Sequence, residues 1–184
     1  MSDKLRQQIV ISGVGGQGVL FVTRLLAEAA IARGHAVLTA ETHGMAQRGG
    51  SVVSHLKVGD FASPLILSGR ADALLALKAE GLDLHGHYIR SGGWRIVNSA
   101  AEQADATRVD ADTLAAGINN PRAVNLVMLG FALARSDGRD ADAAGLFCCR
   151  ADIGRILEVR LAERPEMRNA SWKAFEAGYE AGAG

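Results

Sequence analysis

VISGVGGQGVL, residues 10–20, decides how the rest of the chain is read. A run of β-branched residues ends in a cluster of glycines and resumes with the spacing of an apolar helix. Gly13, Gly15 and Gly18 satisfy G-x-G-x-x-G. In that pattern the first glycine permits a tight turn and the second lets backbone approach a phosphate. The third lets a helix pack closely on a strand, and the amides at the helix N-terminus face the anion. Gly16 and Gln17 add more open backbone, and an amide, than phosphate contact alone requires.

Upstream, residues 7–12 (QQIVIS) predict the strand that enters this turn. Downstream, Val19, Val22, Leu25, Leu26 and Ala29 recur at helical spacing up to about Arg33, and Gly34 supplies a stop. AVLTA, residues 36–40, is a second short strand, so the segment reads as a β-α-β unit with parallel strands. ETHGMAQRGGS follows, too polar and glycine-rich for a core element, and opens into a strand from Ser51 to Val58. Residues 71–85 mix a short buried strand with a helix. SGGW punctuates before a strand at residues 95–99, and TRVDADTLAAGINN is a strand edge and a short helix ending near Gly117. Pro121 sits near the first turn of the apolar helix RAVNLVMLGFALAR, and the C-terminal third is helical. Strands alternating with helices predict an α/β fold: a single three-layer Rossmann-like domain over residues 1–184, its sheet mainly parallel with helices on both faces.

Bulk composition fits that picture. The 184 residues carry 20 basic and 20 acidic side chains, so no net field favours nucleic acid or an anionic membrane. No run approaches the roughly 18 apolar residues of a membrane span. The start, MSDKLRQQIV, leads directly into a strand, and the cytoplasm is the expected location. The two cysteines, Cys148 and Cys149, are adjacent and read as reduced thiols.

Two segments carry the chemistry. Glu41 stands 23 residues after Gly18, where an acidic side chain grips the ribose of a dinucleotide, so NAD binding is one hypothesis from spacing alone. The second segment is rarer: Thr42, His43, Gln47 and Arg48 precede Gly49, Gly50 and Ser51 directly after a strand. Loops at the carboxyl ends of neighbouring parallel strands share one crevice, so this loop and the glycine turn are expected to meet. Arg48 offers a planar fork to a phosphate or carboxylate, and His43 a proton near neutral pH.

GVGGQGVL, ETHGMAQRGGSVVSHLKVG, GRADALLAL, GGWRIVNS and AVNLVMLGFAL together resemble the gamma-type domain of the 2-oxoacid:ferredoxin oxidoreductases, within that family the beta subunit of the indolepyruvate branch. The resemblance runs from about Ile9 to Leu133 and resumes at residues 172–180; between Ser136 and Asn169 nothing is carried over. It implies a subunit of an enzyme that converts an arylpyruvate, coenzyme A and oxidised ferredoxin into an acyl-CoA, carbon dioxide and reduced ferredoxin. This chain has no C-x-x-C array and no Gly-Asp-Gly segment. The resemblance therefore implies a chain that binds no cofactor alone. Thiamine diphosphate, magnesium and iron–sulfur clusters are expected on a larger partner subunit, through which ferredoxin is reached, with coenzyme A at the interface. A homodimer is the other partnership considered. The competing functions are a stand-alone NAD-binding Rossmann oxidoreductase and a nucleotide-binding assembly module.

Overall fold

The computed structural model describes residues 5–43, 50–137 and 145–184. Its centre is a six-stranded sheet in the order β2-β3-β1-β4-β5-β6. The strands are β1 (Gln7–Val14), β2 (Val37–His43), β3 (Ser51–Val58), β4 (Ala71–Ala76), β5 (Ile89–Asn98) and β6 (Thr107–Val109). The helices are α1 (Val19–Ala32), α2 (Glu80–His85), α3 (Ala111–Gly117), α4 (Val124–Asp137), α5 (Arg150–Arg160) and α6 (Pro165–Ala183). A 3₁₀ turn, Gly86–Tyr88, links α2 to β5.

The sheet is mainly parallel, as expected, but the first β-α-β unit is split. β3 lies between β1 and β2 and runs antiparallel to both. The other neighbours, β1–β4, β4–β5 and β5–β6, are parallel. A parallel return needs a crossover of about a dozen residues or more. Only residues 44–50 separate β2 from β3, so β3 must double back.

Three further boundaries differ from the sequence reading. Glu41, Thr42 and His43 extend β2 instead of opening a loop. β2 is an edge strand, where polar side chains meet water and cost little. Gly92 and Gly93 lie inside β5 rather than before it, beside an irregularity in the β4–β5 register. A Cβ on Gly93 would meet the Asp72 carbonyl at 3.0 Å, so the close backbone approach requires glycine. Pro121 lies outside α4, which starts at Val124.

Helices cover both faces unequally. One face, bearing Ile9, Ile11, Leu56, Leu75 and Ile96, packs under α1, α3, α4, α5 and α6 in one continuous core. α4 is buried nearly all round, and Gly130 and Gly178 let its backbone touch that of α6. Each fully buried large side chain here, Phe175 or Met128 for instance, contributes about 1.5–3 kcal/mol by leaving water. The opposite face, bearing Val10, Val53, Leu74 and Val97, is covered by Ile66, Leu82 of α2 and Tyr88. Among the described residues no helix is long and apolar enough to cross a membrane.

Candidate functional site

β1 ends at the carboxyl edge of the sheet, and the chain there must turn into α1. Gly16 (φ 91°) and Gly18 (φ 79°) adopt the left-handed backbone that glycine tolerates best. Gly18 is the N-cap of α1, and no side chain caps that helix. A Cβ on Gly13 would meet Gln17 Oε1 at 2.8 Å, Val19 Cγ2 at 2.9 Å and Leu77 Cβ at 3.2 Å. Gly13 and Gly18 are thus demanded by packing and dihedral angle.

Gln17 turns inward rather than toward a ligand. Its Oε1 accepts the Val14 amide at 2.9 Å, and its Nε2 donates to the Leu77 carbonyl at 3.4 Å. The same carbonyl accepts from Asn98 Nδ2 at 3.2 Å, and Asn98 Oδ1 caps the Ala111 amide at 3.0 Å. Asn98 Nδ2 also donates to Asp112 Oδ2 at 2.8 Å. The ends of β1, β4 and β5 are thereby tied into one hydrogen-bonded rim.

The two glycine-bearing segments meet. The Gly15 amide donates to the Gly50 carbonyl at 3.0 Å, and the next residue, Ser51, pairs with Val14 in the β1–β3 ladder. Gly15 and Gln17 spend their amides internally, Gln17 on the Val14 carbonyl at 3.1 Å. The amides of Gly16, Gly18, Val19 and Leu20 have no hydrogen bond among the described residues. Those of Gly18, Val19 and Leu20 are orphan donors of a helix N-terminus, the group that accepts anions. A depression of about 350 Å³ lies here, lined by Val14, Gly15, Gly16, Gly18, Val19, Leu20 and Val52. That is the small end of ligand pockets, roughly 300–1,000 Å³.

Glu41 is exposed on β2, opposite Ser54 of β3. The inserted β3 puts it two strand spacings from β1, about 9–10 Å, where a dinucleotide fold has one. Thr42 is likewise exposed on β2. The His43 side chain, Gln47, Arg48 and Gly49 lie outside the described residues.

Two residues at this rim were not among the candidates read from sequence. Asn125, at the start of α4, donates through Nδ2 to the Gly18 carbonyl at 3.4 Å. His85, the last residue of α2, places Nε2 at 3.1 Å from Ser51 Oγ. Each stands far from the glycines in sequence, although a lone amide opening an apolar helix and a histidine after the third parallel strand are visible signals. Burial, and secondarily His87, hold the His85 imidazole below its ordinary pKa. Among the described residues no group of three or more His, Cys, Asp or Glu side chains is placed to hold a metal ion. Burial pushes the Cys148 thiol up, and Cys149 caps α5 by donating its backbone amide to Asp152 Oδ2 at 2.9 Å.

Residues 8–181 match the family model described as pyruvate ferredoxin/flavodoxin oxidoreductase. The chain belongs to this family. It is 54% identical over 79 residues to indolepyruvate oxidoreductase subunit IorB of Archaeoglobus fulgidus, a match covering 42% of the chain and 39% of that relative's length. The subunit of the same name from Pyrococcus horikoshii is 29% identical over 201 residues, 94% of each chain. Among solved structures, the gamma subunit of a keto/oxoacid ferredoxin oxidoreductase from Geobacter sulfurreducens shares the fold, with TM-score 0.72 and 24% identity over 96% of this chain and 98% of that one. A 2-oxoglutarate:ferredoxin oxidoreductase from Magnetococcus marinus, solved with 2-oxoglutarate, coenzyme A and succinyl-CoA bound, superimposes with TM-score 0.77 and 19% identity. That match covers 98% of this chain and 31% of the Magnetococcus chain. These likenesses support the ferredoxin oxidoreductase reading over a free-standing NAD enzyme.

Proposed function

We propose that this chain is the small subunit of an indolepyruvate, or arylpyruvate, ferredoxin oxidoreductase. Its glycine turn, Gly13–Gly18, and the segment from Glu41 to Ser51 border the reaction site carried by a larger partner. The observation that supports this most is the junction of two glycine segments at the carboxyl edge. There, four residues whose amides have no hydrogen-bond partner among the described residues (Gly16, Gly18, Val19 and Leu20) line a small open depression. Such a surface suits the edge of a shared site and the phosphate groups of coenzyme A. It is poorly suited to enclosing a whole dinucleotide.

The partner holds the reactive groups. Thiamine diphosphate with magnesium would supply the electron sink for decarboxylation, and iron–sulfur clusters would supply one-electron transfer toward ferredoxin. This chain has two adjacent cysteines, whereas a cluster takes about four thiolates. The contribution of its own residues is backbone amides at the rim and, from the Thr42–Ser51 segment, the Arg48 guanidinium for a carboxylate or phosphate. We place the complex in the cytoplasm and read residues 1–184 as one domain.

The test is reconstitution. The isolated chain is expected to show no iron–sulfur absorbance and no 2-oxo acid oxidation. Mixed with the larger subunit, it restores coenzyme A-dependent reduction of ferredoxin, with an aryl 2-oxo acid outperforming pyruvate. Arg48→Ala lowers that rate about tenfold or more if a charge-assisted contact is lost. Turnover by the lone chain, or a partner equally active without it, refutes the proposal.

A further inference from the structure

We propose that His85 is a positioning residue for the glycine turn. It holds Ser51, and through Ser51 it fixes the Gly50 carbonyl to which the Gly15 amide is bonded. The inference rests on the reading of that turn as part of the active-site rim.

The geometry is a short relay across three elements. His85 Nε2 lies 3.1 Å from Ser51 Oγ, Ser51 opens β3, and the preceding Gly50 receives the Gly15 amide at 3.0 Å. Among the described residues, Ser51 pairs with Val14 of β1, and its neighbour Val52 pairs with His43 at the end of β2. The side-chain bond to His85 adds a restraint on Ser51 from a third element, α2.

His85 is itself well braced. Its ring stacks on Tyr88, with centroids 6.3 Å apart and planes inclined by 22°. Tyr88 meets His55 edge-on at 5.0 Å, and buried His55 accepts the Ile66 amide through Nδ1 at 3.1 Å. α2 is seated closely on the sheet: a Cβ on Gly81 would meet Ser12 Oγ at 2.5 Å and Ala76 Cβ at 3.1 Å. The imidazole is therefore presented to Ser51 by a fixed helix and a chain of packed rings, and fixed partners are what a restraint on a site requires.

The ring has two separable attributes, its stack on Tyr88 and its hydrogen bond to Ser51. His85→Phe keeps the first, and His85→Gln keeps a polar group near the Nε2 position. Amide hydrogen exchange on the isolated full chain reads the Gly15 amide, with the Leu74 amide of β4 as a folding control. His85→Phe is expected to raise Gly15 exchange about tenfold or more, as local opening becomes easier. His85→Gln should stay within about threefold of the unaltered chain. Ser51→Ala should match His85→Phe, and the double variant should add nothing further. In the reconstituted enzyme, His85→Phe raises the KM for coenzyme A more than it lowers kcat.

The opposite order, with Phe harmless and Gln disruptive, overturns the inference in favour of simple packing, and so does a Gly15 amide indifferent to all three variants. Should Leu74 also lose protection in His85→Phe, the Ser51→Ala and His85→Gln pair decides by the same criterion. If Gly15 exchange follows the hydrogen bond while the coenzyme A KM does not move, His85 positions the turn, and the turn is not part of the reaction site.

Discussion

Asn125 stands against Gly18, its side-chain amide donating to the Gly18 carbonyl at 3.4 Å where a Cβ on Gly18 would have to fit. The contact joins the first turn of the buried helix α4 to the cap of α1, so the glycine turn is braced from the helical layer as well as from the sheet. Gly18→Ala should therefore carry two costs, the left-handed backbone at φ 79° and the collision with Asn125. Together these are expected to lower stability by about 2–4 kcal/mol in urea denaturation. In an Asn125→Ala background only the dihedral cost remains, about 1–2 kcal/mol. Equal losses in the two backgrounds would show that the Asn125 contact does not constrain the turn.

Gly130 and Gly178 set the separation of α4 and α6. A Cβ on Gly130 would run into the Phe175 carbonyl, and one on Gly178 into the Val127 carbonyl. Backbone cannot rotate aside as a side chain can, so Gly178→Ala must push the helices apart and loosen Phe175, which is fully buried. The expected loss is about 3 kcal/mol, the upper range of overpacking. Thermal unfolding followed by circular dichroism measures it, and an unchanged Tm would mean that the interface yields more readily than its backbone contacts indicate.

The glycine turn shows which parts of this architecture a sequence carries. Val10 to Leu20 contains the strand, the turn and the helix start as local signals, and the helix begins at Val19. The junction with Gly50 was also legible, because β1 and β2 point the same way whatever lies between them. Insertion of β3 was harder to see, since apolar alternation fixes which face a strand buries and not its direction. The seven residues numbered 44–50 were the available clue. His85 and Asn125 left only faint signals, and their link to the turn was not legible, for another reason. Each acts on the turn from about 70 or 110 residues away in sequence, through packing that only the folded chain creates.

The position of Glu41 makes the NAD hypothesis testable. With β3 interposed, an acidic side chain on β2 cannot reach a ribose whose phosphates sit at the β1 turn as it does when the two strands are adjacent. Titration with NADH is expected to leave the fluorescence of Trp94 and Trp172 without a saturable change. Desulfo-coenzyme A, offered to the reconstituted complex, should bind measurably by calorimetry. Saturable NADH quenching that Glu41→Ala abolishes would reverse this assignment.

Acid sensitivity should originate on the thinly covered face. His55 is buried there, and its Nδ1 accepts the Ile66 amide, an arrangement that requires the neutral ring with its proton on Nε2. Burial, then the neighbouring His85 and Lys57, lower its pKa below 6.5. Burial and then His87 do the same for His85. For both imidazoles the unfolded chain binds a proton more readily than the folded one. Their contribution to stability is therefore complete above about pH 6.5 and is lost as pH falls through the lowered folded values. Asp110 and Asp152 also titrate below their ordinary value of 3.8, so they lose their contributions only in stronger acid. Urea denaturation at pH 7.5, 6.5 and 5.5 should show stability falling across this interval, by at most about 1.4 kcal/mol per pH unit for each imidazole. The fall should be shallower in His55→Asn. Imidazole resonances of the folded chain titrating at or above 6.5 for both histidines would contradict the assignment, because stability would then hold or rise as the solution is acidified.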